Sequence, residues 1–222
     1  MTFEAGESLA ARIAGYLSQE IIRGNMRSGE RIQEARVVSA LDVSRGSVRE
    51  ALLLLEKCHL VTILPRRGAF VSELNEVRVR SIYDLYVTLL TMLATLLAQN
   101  WSDETARTLN EKAAMAEKLA AEQDPYRFIE AGFAVMDCAL QLAGNEYLLT
   151  IMQDMQPALY RTSALAIRFS PQEAGFAGHF ISGLIAAAAA GNEDTIRKLV
   201  REYGSHQCDL VLRALHNHST QS

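Results

Sequence analysis

Apolar residues stand three and four apart in two short segments near residue 40 and in six long segments beyond residue 75, with two brief β-prone runs between them. Val48, Leu52 and Leu55 form a stripe that one face of a helix must bury, while Arg45 and Arg49 lie four residues apart on another face. Ser44 stands where that helix starts: its hydroxyl can accept N–H groups left unpaired in the first turn, and Val43 can staple onto Val48. Glu34–Leu41 predicts a second short amphipathic helix, joined to the first by the turn Asp42-Val43, a length suited to helix-turn-helix geometry. Leu60–Leu64 and Ala69–Val71 predict two short strands, and Pro65–Gly68 a hairpin between them with two guanidinium groups at its tip.

Beyond a short polar linker at Ser72–Val77, the 3.6-residue period continues to the end of the chain. It predicts helices over Glu76–Gln99, Asp103–Gln123, Pro125–Leu142, Glu146–Ile167, Pro171–Ala190 and Glu193–Leu215, with capping or breaking residues at each interruption. Six helices on short connections predict an antiparallel bundle. Pro157 falls inside the fourth, where it is expected to kink or interrupt the helix. The fold class is therefore mostly α: a winged helix-turn-helix domain over residues 1–74 and a helical bundle over 75–222.

The net charge of −4 over 222 residues changes this picture only when it is divided. Residues 1–74 hold 10 Lys and Arg against 9 Asp and Glu, while residues 75–222 hold 12 against 17. The head is thus slightly basic and the bundle acidic. A head with net charge +1 releases few counterions from DNA, so a second copy in a homodimer is expected to supply the rest of the affinity. No run of 18 or more uncharged apolar residues occurs, and no basic stretch leads into an apolar core at the N-terminus, so a cytoplasmic protein without a membrane anchor is expected. Cys58, Cys138 and Cys208 lack metal-ligand spacing and sit in apolar helical patterns, as buried free thiols would.

The start of the helix at Ser44 has the chemistry of an anion site. Gly46 and Ser47 are small enough to let the backbone approach a phosphate or base edge, and the helix dipole favours negative charge there. The sequence Ser8–Val71 resembles the winged helix of the GntR family of bacterial transcription regulators through Gly29-Glu30-Arg31, Val43-Ser44-Arg45, Val48-Arg49-Glu50-Ala51-Leu52, Leu55-Glu56, Leu60-Val61 and Arg67-Gly68-Ala69-Phe70-Val71. It departs from that pattern where Asp42 and His59 replace the usual Gly and where Gly46-Ser47 replaces Thr-Pro or Thr-Thr. The resemblance implies that Ser44, Arg45, Gly46, Ser47 and Arg49 touch double-stranded DNA from the reading helix, with Arg66, Arg67 and Gly68 from the wing. Arg36 is a further candidate contact on the preceding helix.

The bundle resembles the effector-binding FCD domain of the FadR-type branch of the same family, through Asp84-Leu85-Tyr86, Ala143-Gly144-Asn145 with Leu148, Ala190-Gly191-Asn192 and Arg201-Glu202-Tyr203-Gly204. Many members of that branch hold a divalent metal with one Asp and three His. Counted from the breaks, those four positions carry Gly132, Met136, Ile181 and Tyr203, so the resemblance implies no metal cofactor. The arginine that such members place one turn after the Tyr86 equivalent is Leu89 here. The implied effector is a small, largely apolar organic acid or acyl derivative, with Leu89, Met136, Tyr160, Arg161, Arg168, His179, Tyr203 and His206 as candidate contacts.

The resulting expectation is a ligand-responsive regulator, read as a repressor, that binds a palindromic operator as a homodimer. An effector-free architectural DNA binder is the alternative. A helical metal-dependent or thiol enzyme with a nucleic-acid head is a further one, although no nucleophile stands beside a base at a defensible spacing.

Overall fold

The computed structural model describes residues 8–121 and 124–220, and it divides into two compact units at Leu74/Asn75. In the first unit, helix α1 (Leu9–Arg23) starts at Ser8, whose hydroxyl accepts the Ala11 N–H, and ends at Gly24 in the left-handed conformation. Strand β1 (Arg31–Ile32), helices α2 (Glu34–Leu41) and α3 (Arg45–Lys57), and strands β2 (Val61–Leu64) and β3 (Gly68–Val71) follow. The strands form an antiparallel sheet in the order β1-β3-β2, with Arg31 opposite Phe70 and Val61 opposite Val71.

Burial explains this arrangement. Val48, Ala51, Leu52 and Leu55 of α3 meet Ile13, Leu17 and Ile21 of α1 and Leu60, Val61 and Val71 in one core, so the opposite face of α3 is left to solvent. Val43 packs against the same core, the place the staple requires. Asp42 and His59 have φ of 51° and 60°. Glycine adopts this left-handed conformation without a Cβ penalty, so both departures from the resembled pattern fall where the backbone itself favours Gly.

The polar linker is shorter than Ser72–Val77. Ser72 is buried, its N–H donating to the Leu60 carbonyl and its hydroxyl meeting Thr62 Oγ1 at 3.1 Å, so it belongs to the head. Asn75 accepts the Arg78 N–H at 3.0 Å and caps the next helix, so Val77 is already helical.

The second unit contains, among the described residues, α4 (Glu76–Gln99), α5 (Asp103–Ala121), α6 (Pro125–Ala143), α7 (Glu146–Phe169), α8 (Glu173–Ala189) and α9 (Glu193–Thr220). Glu122 and Gln123, where the sequence carries the second bundle helix to its end, lie outside the described residues. Helix α7 runs through Pro157 without interruption, contrary to one of the two expected outcomes. The carbonyl that the proline ring leaves without its helical partner belongs to Gln153, which is on the exposed side of the helix where water can satisfy it. Cys208 is buried, but Cys58 and Cys138 are only half-buried, and none of the three is in a disulfide.

Helix α4 is long and apolar enough, by length and composition, to cross a membrane. In this fold it packs against α6, α7, α8 and α9, and its Leu90, Leu93, Ala94 and Leu97 form the centre of the bundle core. The approach of α9 to α4 depends on Gly204, where a Cβ would overlap the side chain of Val87. At Gly132, by contrast, the nearest atom to a Cβ would be Ile181 Cδ1 at 3.8 Å, an ordinary contact. Gly204→Ala is therefore expected to destabilise by about 1–3 kcal/mol through overpacking, whereas Gly132→Ala is neutral or stabilises by about 0.5–1 kcal/mol through helix propensity. Thermal unfolding of the two variants checks this; equal melting temperatures would contradict the close α4–α9 packing.

Candidate functional site

Two separate sites emerge, one in each unit. In the head, Ser44 caps α3 by accepting the Ser47 N–H at 3.0 Å, and its hydroxyl meets Ser47 Oγ at 2.9 Å. The N–H groups of the first helical turn at Arg45 and Gly46 have no partner within the helix, so the exposed end of α3 offers donors and the positive end of its dipole together. Arg45 and Arg49 both project from the exposed side. Arg49 Nε donates to Glu34 Oε2 at 3.1 Å, linking the reading helix to α2, with the arginine side chain 70% exposed. A pair this open contributes at most about 1 kcal/mol, so a base edge or phosphate can replace the carboxylate. Arg36 is exposed on α2.

The wing turns at Pro65-Arg66-Arg67, closed by the Arg67 N–H donating to the Leu64 carbonyl at 3.0 Å. Arg66 has φ of 62° and Gly68 φ of 95°, so the turn holds a non-glycine residue in the left-handed region at some cost. Both arginines are exposed, and the Arg67 guanidinium lies 5.7 Å from the centre of the Phe70 ring. Arg31 joins them: its guanidinium nitrogens lie 3.7 Å from where a Cβ on Gly68 would be. Sequence reasoning missed Arg31 as a contact residue. It sits on a two-residue strand too short to show a period, and the only available signal was its place in Gly29-Glu30-Arg31.

The second unit contains a partly open cavity of about 140 Å³. Tyr86, Leu90, Leu93, Ala94 and Leu97 of α4 form one wall. Gly132, Met136, Ile181 and Tyr203 all line the same space, so the four counted positions do converge. Their chemistry does not suit the metal: Gly132 and Ile181 offer no donor, Met136 only a thioether, and burial holds the Tyr203 phenol in its neutral form by raising its pKa well above the usual value. Among the described residues no three His, Cys, Asp or Glu side chains gather where they could bind an ion.

The other expected contacts are not on the cavity wall. Leu89 is a half-buried part of the core surround, one position round the helix from the cavity-facing Leu90. Tyr160 donates its hydroxyl to the Tyr126 carbonyl at 3.1 Å and stacks on Phe133. Arg161 is only 6% exposed, and burial, with Arg168 and Arg78 nearby, pushes its pKa down to about 10. It is buried elsewhere in the bundle, and Arg168 is exposed near the end of α7. His179 is exposed, its Nδ1 donating to the Gly175 carbonyl at 2.7 Å within its own helix. His206 stands one layer back from the cavity, its Nε2 donating to Glu173 Oε2 at 2.8 Å.

The residue that sequence reasoning missed is Glu173. It lines the cavity, is 7% exposed, and accepts a second bond at Oε2 from Gln207 Nε2 at 3.2 Å. An acidic residue in the first turn of a helix reads as a solvated dipole partner, which is why the pattern hid it. Among the described residues no Lys, Arg or His lines the cavity, so the expected organic acid would find no cation there and would meet a carboxylate instead.

Comparison with known proteins bears on the two units. The family model described as bacterial regulatory proteins, gntR family, matches residues 9–71, and that of the FCD domain matches residues 81–206. The gluconate operon transcriptional repressor of Bacillus licheniformis is 26% identical over 161 residues, spanning 72% of this chain and 66% of that protein. The chain therefore spans just under two thirds of the length of that relative. The HTH-type transcriptional repressor GlaR of Escherichia coli is 30% identical over 106 residues, 48% of each chain. The solved structure of E. coli McbR/YncC covers 94% of this chain and 99% of its own with a TM-score of 0.77 at 17% identity. A putative transcriptional regulator GntR from Rhodococcus sp. RHA1 covers 92% and 98% with a TM-score of 0.72 at 23% identity. At these identities the two structures bear on the fold alone.

The head geometry generates a contrast. Arg49→Ala is expected to abolish discrimination between a selected operator and unrelated DNA. Arg67→Ala and Arg31→Ala are expected to weaken binding to both by similar factors and to reduce the salt slope by about 1 each. Anisotropy titrations against both DNAs over a range of salt measure this, and full discrimination by Arg49→Ala would remove α3 as the reading helix.

Proposed function

Because this chain belongs to the GntR family of bacterial regulatory proteins and carries an FCD domain, we propose that it is a transcriptional repressor that binds a palindromic operator as a homodimer and changes its DNA affinity when a small molecule enters the bundle cavity. The observation that carries this reading is the division of labour between the units. One presents a capped helix N-terminus with Arg45 and Arg49, backed by Arg31, Arg66 and Arg67; the other contains a space lined mostly by apolar residues.

Ser44, Gly46 and Ser47 let α3 enter a major groove, Arg45 and Arg49 read base edges, and Arg31, Arg36, Arg66, Arg67 and Gly68 address the backbone around them. Repression is supported by the two curated relatives named as repressors. Dimerisation is supported by the head charge of +1, too small for one copy to hold an operator firmly. The same reading puts the protein with the chromosome in the cytoplasm. Ligand control works if the ligand prefers one disposition of the two heads, since only a difference in affinity between states shifts their populations. The cavity favours this over an effector-free architectural binder, and the relatives are transcriptional regulators rather than enzymes.

Selection of bound sequences from random DNA, followed by salt titration, tests the proposal. The expected result is a two-fold symmetric site bound about 10³-fold or more tighter than unrelated DNA, with log K falling steeply as salt rises. Sequence-indifferent binding with a shallow slope would contradict it.

A further inference from the structure

The cavity wall is chemically lopsided, and this bears on what can occupy it. Its polar groups are few: the hydroxyls of Tyr86, Ser163 and Tyr203, the Trp101 indole N–H, the Gln207 amide and the Glu173 carboxylate. Glu173 is the one charged group among the described residues of the wall, and it is held in place by His206 from behind the wall and by Gln207 within it. Both of these bonds fall on Oε2, which leaves the lone pairs of Oε1 for an occupant.

An anionic occupant would place a second negative charge beside a buried carboxylate, where the low-dielectric surroundings screen their repulsion poorly. A cationic occupant gains the reverse: a charge-assisted hydrogen bond in a low-dielectric space, roughly twice as strong as a neutral one. The remainder of the wall, including Leu93, Met136, Phe180 and Leu184, fits an apolar body. The size is bounded as well. An engineered apolar cavity of about 150 Å³ holds benzene, so 140 Å³ suits a body of about one six-membered ring.

We propose that the cavity takes a small, largely apolar amine, with its ammonium group bonded to Glu173 Oε1 and its body against the apolar wall. Glu173 sets the class of ligand, and His206 and Gln207 position Glu173. This rests on the reading of the bundle as an effector domain and narrows the chemistry of the effector.

Calorimetric titration of the full-length protein with benzylamine, benzyl alcohol, benzoate and toluene tests it, with operator affinity measured separately in the presence of each probe. Benzylamine is expected to bind about tenfold or more tighter than benzoate, and Glu173→Gln to bring benzylamine to the level of benzyl alcohol while toluene binding persists. Benzoate binding as tightly as benzylamine would overturn the proposal, as would a Glu173→Gln protein with an unchanged preference. If that variant does not fold, the wild-type ratio of benzylamine to benzoate decides alone. Failure of the ligand class is distinguishable from failure of the regulatory reading: benzoate binding that shifts operator affinity sinks only the former, and benzylamine binding that leaves operator affinity unchanged sinks only the latter. Binding of none of the four overturns the amine proposal and leaves the regulatory reading to the DNA-selection test.

Discussion

Helix α4 carries apolar side chains around most of its circumference, and the stripe holding Leu90, Leu93, Ala94 and Leu97 needs other helices to cover it, while Leu85 and Met92 stay exposed. Four helices provide that cover, α6, α7, α8 and α9, and the rest of the second unit follows from that requirement. Leu90, Leu93, Ala94 and Leu97 belong at once to the bundle core and to the cavity wall, so the space for a ligand is part of the packing itself. The covering is close enough at one point to demand glycine: Gly204 lets α9 meet Val87 of α4, and the preceding Tyr203 is thereby held at the cavity. Bundle stability and the shape of the cavity are linked through the same helix pair. The stacking of Tyr203 on Phe180, with ring centroids 3.9 Å apart, extends that link to α8, which also supplies Glu173.

The head obeys a different constraint. Its core takes one face of α3 and the staple Val43, which compels Arg45 and Arg49 to the other face. This much was legible because a cap, a staple and an amphipathic stripe are local signals that agree with one another. The wing strands were legible from β-prone runs around Pro65–Gly68. Strand β1 was not, since two residues cannot display alternation, and Arg31 was lost with it. Ser72 misled for the opposite reason: a polar residue after a strand reads as linker, yet its hydrogen bonds with Leu60 and Thr62 bury it in the head.

In the bundle, the number of helices and most breaks followed from capping residues, while the site was legible only in outline. Counting from Gly144 and Gly191 brought Gly132, Met136, Ile181 and Tyr203 to one place, because helical spacing fixes angular position over short distances. It could not separate Leu89 from Leu90, which sit 100° apart on the same apolar helix. Nor could it locate Arg161, Arg168, His179 or His206, whose placement depends on which neighbouring helix covers them. Glu173 escaped for a tertiary reason, since its burial comes from His206 and Gln207 on α9, thirty-odd residues away. A polar residue at a helix start becomes a binding group only through such distant partners.

In a ligand-controlled regulator of this kind, occupation of the cavity and occupation of DNA by the heads are thermodynamically coupled. Coupling of this kind is reciprocal: the factor by which a ligand changes operator affinity must equal the factor by which the operator changes ligand affinity. The most direct measurement is therefore the complete cycle on the wild-type chain, with operator affinity determined with and without saturating amine ligand and amine affinity determined with and without saturating operator. The expected result is the same factor, well away from unity, on both sides of the cycle. A factor of one on both sides would contradict it, leaving a DNA-binding head and a ligand-binding bundle that do not communicate.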